Sequence, residues 1–217
     1  GFDRGLIVAH GHDDRVCSYA SLAALLSIEK PARTTVGLYV DKEEVGSIGA
    51  TGMHSQFFNN MVGEMIALMN GGVCSDISIR RALAHSTLLS ADVAAAFDPN
   101  YPSVGDNANF AAIGQGIAMV KYTGSRGKSG ANDAAAELVG KVRKLFNDHG
   151  VVYQTSELGK VDQGGGGTIA YIMANYDMDV IDAGVAMLSM HAPWEIVSKA
   201  DVYMTSRAYH EFFVNYR

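Results

Sequence analysis

Residues 6–15 read LIVAHGHDDR, a short apolar run followed by histidines, a glycine and a pair of aspartates. The apolar run, Leu6 to Ala9, stops at His10-Gly11-His12 and predicts a short buried strand. Residues 16–27 are rich in alanine and leucine at helical spacing and predict a helix. A strand, a polar turn and a helix in this order are typical of an α/β protein.

The same alternation continues along the rest of the chain. Apolar or β-branched runs predict strands at residues 34–40, 88–93, 117–122, 151–156, 180–183 and 186–190. Helices are predicted at residues 79–86, 133–147, 168–175 and 198–213. The clearest is 133–147, with Asn132 as its N-cap and one apolar face formed by Leu138, Val142, Leu145 and Phe146.

Buried strands that alternate with helices indicate an α/β fold with a mostly parallel central sheet covered on both faces, which makes three layers. The length of 217 residues and a hydrophobic content of 48% suit one domain over residues 1–217. In such sheets, ligands bind beyond the carboxyl ends of the strands.

Bulk composition argues against several classes of partner. A net charge of -6 argues against nucleic acid, and no window has the roughly 18 apolar residues of a membrane span. The two cysteines, Cys17 and Cys74, lie far apart and do not suggest a disulfide framework. Free thiols are typical of a reducing compartment, so we expect a cytoplasmic protein.

Acidic and histidine residues follow several predicted strands, and the fold class should bring them to one edge of one sheet. They are Asp13 and Asp14, Glu43 and Glu44, Asp92, and His191. Carboxylate and imidazole ligands of this mixture suit zinc, cobalt or manganese. Carboxylates can also bridge two ions about 3.5–4 Å apart. Taken singly, these residues equally suit a helix cap, a solvated surface pair or a core histidine.

Four motifs in order make the metal interpretation more specific. They are GHDDR at 11–15, DKEEVGS at 41–47, SAD at 90–92 with DPNY at 98–101, and SMHAPWE at 189–195. Together they resemble the aspartyl aminopeptidase family of dizinc exopeptidases, over nearly the whole chain. The similarity is greater to the bacterial branch, and it implies a zinc-exopeptidase-like α/β/α fold.

The resemblance also implies a role for each matching residue. Asp13 would bridge two metal ions, Glu44 and His191 would bind one of them, and Asp92 would bind the other. Glu43 would be the general base. The cofactors would be two divalent ions, zinc in the first instance, with cobalt or manganese as alternatives.

The activity implied is removal of N-terminal residues, acidic ones in the first instance, from peptides through a metal-activated water. Full-length family members are homo-oligomeric dodecamers. Two alternatives stay open: a related metal-dependent deacylase or carboxypeptidase, and an inactive truncated subunit with a binding or assembly role.

Family members also carry a metal-binding histidine in an upstream His-x-Asp motif, and a dimerisation domain inserted between that motif and the Asp-Asp-Arg motif. Neither precedes Gly11 here. We therefore expect an incomplete catalytic domain in which the N-terminal part and one metal ligand are missing. His10 and His12 lie at the correct strand end to replace that ligand, but neighbouring strand residues point to opposite faces, which favours surface or supporting roles.

Substrate contacts are predicted around a basic, glycine-rich loop. Lys121 matches a substrate-facing lysine of the family, and Arg126 and Lys128 follow it closely. A fixed cation there could pair with a substrate carboxylate, although a solvated basic loop explains it equally. In the glycine run 164–167, Gly166 and Gly167 would allow close backbone approach to substrate, although a plain flexible loop explains the run equally.

Two positions depart from the family pattern. Ala95 and Asp98 stand where many aspartyl aminopeptidases have histidines, the first of which helps to hold substrate. A strict preference for aspartate therefore does not carry over to this chain.

Overall fold

A computed structural model describes residues 1–157, 159–160 and 165–217, so Gly164 of the glycine run lies outside the described residues. The elements are β1 (Leu6–Ala9), α1 (His12–Leu26), α2 (Phe57–Met69), α3 (Asp76–Ala84), β2 (Thr87–Ser90), β3 (Ala94–Ala95), β4 (Ile117–Val120), β5 (Tyr122–Ser125), β6 (Ser129–Asp133), α4 (Ala136–Asp148), β7 (Tyr153–Ser156), α5 (Ala170–Ala174), β8 (Asp179–Gly184), β9 (Ala186–Leu188), β10 (Glu195–Ser198) and α6 (Lys199–Asn215). Short 3-10 turns lie at Glu43–Val45 and Pro102–Val104. Among the described residues, none of the helices has the length and apolar character needed to cross a bilayer.

The central sheet has the strand order β2-β8-β4-β7. Strands β2 and β8 are parallel, β4 and β7 are parallel, and β8 and β4 are antiparallel. The expected α/β fold with a mostly parallel central sheet is therefore confirmed.

Helices cover both faces of this sheet. Successive side chains of a buried strand point to opposite faces, so each face carries apolar side chains that need a packing partner. In β8, Ile181 packs into a core shared with α1, α4 and α6. Its neighbour Val180 packs into a second core formed with α2, α3 and α5. These two cores give the molecule its three layers.

A second sheet, which the sequence pattern did not predict, has the order β1-β10-β9-β3. Strand β1 lies at its edge and pairs antiparallel with β10. Because an edge strand is covered incompletely, Leu6 and Val8 are 40% and 50% exposed. The prediction of a strand at Leu6–Ala9 is confirmed, but the prediction that it is buried is wrong.

Residues 34–40 were expected to form a buried strand, and that prediction is wrong for this structure. The segment makes no backbone ladder with any described strand, and Val36 and Tyr39 are 41% and 46% exposed. Leu38 and Val40 nevertheless pack against the core beside α2 and α5. A β-branched sequence favours extended backbone, but a strand also requires a neighbouring strand as hydrogen-bond partner.

The amphipathic helix α4 is confirmed with a later start. Its apolar residues Leu138, Val142, Leu145 and Phe146 are all buried, as their spacing predicts. Asn132 is not its N-cap, because this residue lies in β6 and its side-chain amide donates to the Val180 carbonyl oxygen at 3.1 Å.

Candidate metal centre

Three segments distant in sequence bring Asp13, Glu44 and His191 together. His191 Nε2 lies 3.0 Å from Asp13 Oδ2 and 3.1 Å from Glu44 Oε2. One potential ligand atom from each of the three residues lies within 4.8 Å of the other two. A single ion could therefore contact all three side chains.

Asp13 is positioned by the turn between β1 and α1. Gly11 there has φ 71°, a left-handed conformation that favours glycine. Asp13 and Asp14 depart from helical dihedral angles, and the peptide bond between them is cis. The Asp13 side chain is only 8% exposed.

Glu44 is presented by a tight turn that follows the unpaired segment 34–40. The Gly46 N–H donates to the Glu43 carbonyl oxygen at 2.9 Å, and the Ser47 N–H donates to the Lys42 carbonyl oxygen at 2.7 Å. This turn directs the Glu44 carboxylate towards His191. Glu43, its neighbour, lies close enough to Glu44 and Asp13 for their charges to raise its pKa.

Asp92 follows β2 and approaches the same region from the central sheet. Among the described residues it does not join the three-residue group, and its Oδ1 accepts a hydrogen bond from the Val93 N–H at 2.8 Å. Burial raises its pKa well above the usual value, and the charges of Asp14, Glu43 and Asp13 raise it further. A Cβ atom at Gly184 would lie 1.8 Å from the Asp92 carbonyl oxygen, so only glycine permits β8 to pass this close.

The crowding of carboxyl groups is visible in their pKa values. The pKa of Asp13 is raised to about 6, that of Glu43 to about 7 and that of Asp14 to about 8, and burial is the largest cause in each case. Repulsion from Glu44 also contributes to the rise at Asp13 and Glu43, whereas His191 opposes it at both. A divalent cation at this point would replace mutual repulsion with attraction and would favour the ionised carboxylates.

The donor set fits zinc. Catalytic zinc sites use three protein ligands from histidine, aspartate, glutamate or cysteine and keep a further position open for water or substrate. The side chains of Glu44 and His191 are 54% and 62% exposed, so the centre is open to solvent on one side.

The expectation that all these residues come from one edge of one sheet is wrong. Asp13 and His191 follow β1 and β9 of the second sheet, Asp92 follows β2 of the central sheet, and Glu44 follows the unpaired segment. Convergence still occurs because the two sheets lie against the same core, to which strands of both contribute.

The two upstream histidines lie beside the centre without entering it. His10 is exposed, and His12 Nε2 is buried without a hydrogen-bond partner among the described residues. Neither belongs to the three-residue group.

The predicted substrate residues gather around the β5–β6 hairpin. Arg126 and Lys128 are exposed in its turn, and Lys121 pairs with Asp133 across its base. The Gly124 N–H donates to the Gly166 carbonyl oxygen at 2.9 Å, and Gly167 lies against Gly130. The hairpin and the described part of the glycine run therefore form one unit.

A cavity of about 1020 Å³ opens beside the acidic residues and does not include that hairpin. Asp13, Asp14, Glu43, Glu44 and Asp92 line one part of it. The remainder is mostly apolar and lies between segment 34–40, α2 and the C-terminal end of α6.

One residue of the centre was not predicted although it lies in a quoted motif. The buried Glu195 carboxylate accepts hydrogen bonds from the backbone N–H groups of Asp13 and His191. The available signal was its position four residues after His191 within SMHAPWE.

The family model for aminopeptidase I zinc metalloproteases (M18) matches residues 1–213. This chain belongs to the M18 aminopeptidase family. A probable M18 family aminopeptidase 1 from Clostridium acetobutylicum is 54% identical over 215 residues, and one from Thermotoga maritima is 47% identical over 209 residues. These matches cover 99% and 96% of this chain.

Solved M18 structures have the same fold. The crystal structure of aminopeptidase I from Clostridium acetobutylicum matches with a TM-score of 0.90 at 53% identity, covering 99% of this chain and 46% of that one. The M18 aminopeptidase structure from Thermotoga maritima matches with a TM-score of 0.93 at 47% identity, covering 99% and 47%. This M18 chain spans about half the length of the curated relatives it matches, 46% in both cases cited above.

Proposed function

We propose that this chain is the later part of the catalytic domain of a metal-dependent aminopeptidase. The convergence of Asp13, Glu44 and His191 at 3.0–3.1 Å carries the proposal, because it places zinc-type donors on the motifs that resemble the family's ligands. Membership of a family of zinc metalloproteases supports it.

The proposed centre holds two divalent ions, zinc in the first instance and cobalt or manganese as alternatives. Asp13 would bridge the two ions, with Glu44 and His191 as ligands of one of them; the grouping of these three side chains supports that part of the proposal. Asp92 would bind the other ion, and the charge of Asp13 is among the causes, after burial, that raise its pKa.

The bound ions would supply a water of lowered pKa and would polarise the scissile carbonyl. Glu43 would take the proton of the attacking water at its carboxylate and later donate it to the leaving amine. Burial and neighbouring carboxylates raise the pKa of Glu43 to about 7 in the metal-free chain, and bound cations would lower it again and keep Glu43 ionised as a proton acceptor. The solvent-open side of Glu44 and His191 leaves room for the peptide N-terminus.

An upstream segment of the longer protein would complete the domain. Relatives are about twice as long as this chain. Segment 34–40 has a strand-like, β-branched sequence but pairs with none of the described strands. The apolar part of the cavity lies directly beside it. We propose that upstream residues cover this surface and supply the remaining metal ligand, and that a dimerisation domain is inserted within that upstream part.

Recognition of an acidic N-terminal residue is proposed for the hairpin unit. Arg126 and Lys128 are exposed cations in the turn of the hairpin whose Gly124 and Gly130 contact Gly166 and Gly167, and a substrate carboxylate could pair with one of these cations. Lys121 already pairs with Asp133, so it would reach substrate only by exchanging that partner.

The full-length protein is proposed to act in the cytoplasm as a homo-oligomer. The yeast mApe1 structure described as a dodecamer matches with a TM-score of 0.71 at 24% identity, which shows the shared fold alone. Sedimentation of the full-length protein tests the assembly.

Hydrolysis by the full-length protein with added zinc or cobalt tests the function. Peptides with a free N-terminal aspartate, a free N-terminal leucine and an acetylated N-terminus form the substrate set. The proposal expects cleavage of free-amine peptides, fastest for aspartate. Preferential cleavage of the acetylated peptide would favour the deacylase alternative, and metal binding without hydrolysis would favour the assembly subunit.

A further inference from the structure

Glu195 connects the two ligand-bearing segments of the metal centre through its side chain. Its Oε2 accepts a hydrogen bond from the Asp13 N–H at 3.1 Å, and its Oε1 accepts one from the His191 N–H at 2.9 Å. Glu195 is 2% exposed, and both hydrogen bonds are partly buried. Each oxygen of one buried carboxylate is therefore bonded to the backbone of a different ligand residue.

The fold places Glu195 between these two segments. It is the first residue of β10 and pairs with Ala9, the last residue of β1. The chain leaves β1 towards Asp13, whereas the turn that precedes β10 carries His191. Both segments therefore begin or end beside Glu195.

The turn that carries His191 has an unfavourable backbone conformation. Ser189 and His191 have φ of 59° and 63°, in the left-handed region that non-glycine residues rarely adopt. The Ala192 N–H donates to the Ser189 carbonyl oxygen at 3.0 Å and closes the turn. The hydrogen bond from the His191 N–H to Glu195 is a further contact that stabilises this conformation.

We propose that Glu195 is a positioning residue that fixes the Asp13 and His191 backbones at the separation required for metal binding. It does not contact the ion itself. This inference rests on the proposed metal centre. It holds that part of the zinc affinity of that centre depends on Glu195. Outer partners that orient metal ligands commonly contribute about 10–100-fold in metal affinity.

The carboxylate is specifically required by this geometry. A glutamate side chain presents two acceptor oxygens, so each N–H receives one. The substitution Glu195→Gln keeps the shape but replaces one oxygen with an NH₂ group, which cannot accept a hydrogen bond. One of the two ligand segments would then lose its fixed partner, and a buried N–H would be left unpaired.

Asp201 offers a matched control elsewhere in the fold. It is fully buried, and its two oxygens accept hydrogen bonds from the Gly114 and Gly116 N–H groups, both at 2.7 Å. Neither glycine belongs to a segment of the metal centre. Asp201→Asn therefore removes the same kind of interaction from a site with no link to the metal ligands.

The experiment compares zinc affinity and metal-free stability for three forms of the full-length protein: unmodified, Glu195→Gln and Asp201→Asn. Zinc affinity is measured by competition with a chromophoric chelator, and stability by thermal unfolding in the presence of a metal chelator. Both variants should lower the metal-free melting temperature. Only Glu195→Gln should weaken zinc binding, by about 10–100-fold, while Asp201→Asn stays within about threefold of the unmodified protein.

Two results would overturn the inference: unchanged zinc affinity in Glu195→Gln, or an equal loss in Asp201→Asn. If Glu195→Gln does not fold, Glu195→Asp tests the same point, because its shorter side chain cannot reach both N–H groups. Failure of the unmodified protein to bind zinc would contradict the proposed metal centre, which separates that outcome from failure of the Glu195 role alone.

Discussion

His191 Nε2 lies 3.0 Å from Asp13 Oδ2, although the two residues stand near opposite ends of the chain. The pairing of β1 with β10 explains this proximity, because Asp13 follows the first of these strands and His191 precedes the second. Glu44 completes the arrangement at 3.1 Å from the same nitrogen. Tertiary structure thus assembles a donor set that no local stretch of the sequence contains.

Loss of the imidazole should abolish tight metal binding. We expect His191→Ala to weaken zinc binding by about 100-fold or more, since substitution of an outer partner alone costs about 10–100-fold. The measurement is zinc affinity by chelator competition. His149→Ala is the matched control, because His149 Nδ1 also lies 3.0 Å from a carboxylate, that of Glu211, but outside the centre. Equal losses in the two variants would contradict the assignment of His191.

Loss of the proposed general base should separate chemistry from metal binding. We expect Glu43→Gln in the full-length protein to lower kcat by about 10²–10⁴-fold with zinc affinity within a few-fold of normal. Steady-state hydrolysis measures kcat, and chelator competition measures zinc affinity. Glu64→Gln, at an exposed position on α2, is the control and should leave kcat unchanged. A Glu43→Gln protein with normal kcat would exclude the base role.

The buried Asp182 should make stability depend on pH. Burial raises its pKa to about 6, although the hydroxyls of Ser90, Thr168 and Thr123 lower it. Because the pKa is raised in the folded state, the contribution of protonated Asp182 to folding stability is fully present below the ordinary pKa of 3.8. That contribution is lost as pH rises through about 6. The shift of about two units corresponds to about 3 kcal/mol.

We therefore expect Asp182→Asn to become more stable relative to the unmodified protein as pH rises from 4 to 8, by about 2.5 kcal/mol over that range. Urea unfolding of metal-free protein at several pH values measures the difference, in which other titrating groups largely cancel. Asp179→Asn, at an exposed position on the same strand, should show no such trend. A flat difference for Asp182→Asn would contradict the raised pKa.

The core beneath the central sheet should be sensitive to truncation at Phe146. This residue is fully buried, and its ring centroid lies 5.7 Å from that of Tyr153. We expect Phe146→Ala to lower the free energy of unfolding by about 3–5 kcal/mol, because it removes apolar contacts and leaves a cavity. Phe57→Ala at a 66% exposed position should change it by less than about 0.5 kcal/mol in urea unfolding. Similar losses in both would show that α4 does not pack as described.

Local periodicity was sufficient to predict α4, one of the helices that pack on the sheet. The apolar spacing of Leu138, Val142, Leu145 and Phe146 identifies the buried face of α4 without tertiary information. The start of that helix was predicted too early, because the side chain of Asn132 hydrogen-bonds to Val180 in the neighbouring β8 instead of capping a helix. That choice depends on a strand distant in sequence, which local pattern cannot show.

Strand pairing was the part that sequence could not predict. Residues 34–40 have the β-branched character of a strand, yet a ladder also needs a partner, and none of the described strands provides one. The prediction that β1 is buried was wrong for a related reason, because the whole sheet determines whether a strand lies at its edge or its centre. Hydrophobic pattern specifies extended backbone, but not its neighbours.

For the site, motif resemblance named Asp13, Glu44 and His191, and the structure brings these three together. Glu195 was missed because its position four residues after His191 does not by itself show that its carboxylate accepts hydrogen bonds from backbone N–H groups. The roles of Asp13, Glu44, His191, Asp92 and Glu43 all stay predictions.

The most direct measurement is the position of zinc in a crystal of the protein, located by anomalous scattering at the zinc absorption edge. The proposed centre predicts a peak about 2.0–2.2 Å from His191 Nε2 and from carboxylate oxygens of Asp13 and Glu44. A second peak about 3.5–4 Å away, on the side of Asp92, is expected when both positions are filled. Zinc bound elsewhere, with these three side chains free of metal, would contradict the metal centre and the peptidase function built on it.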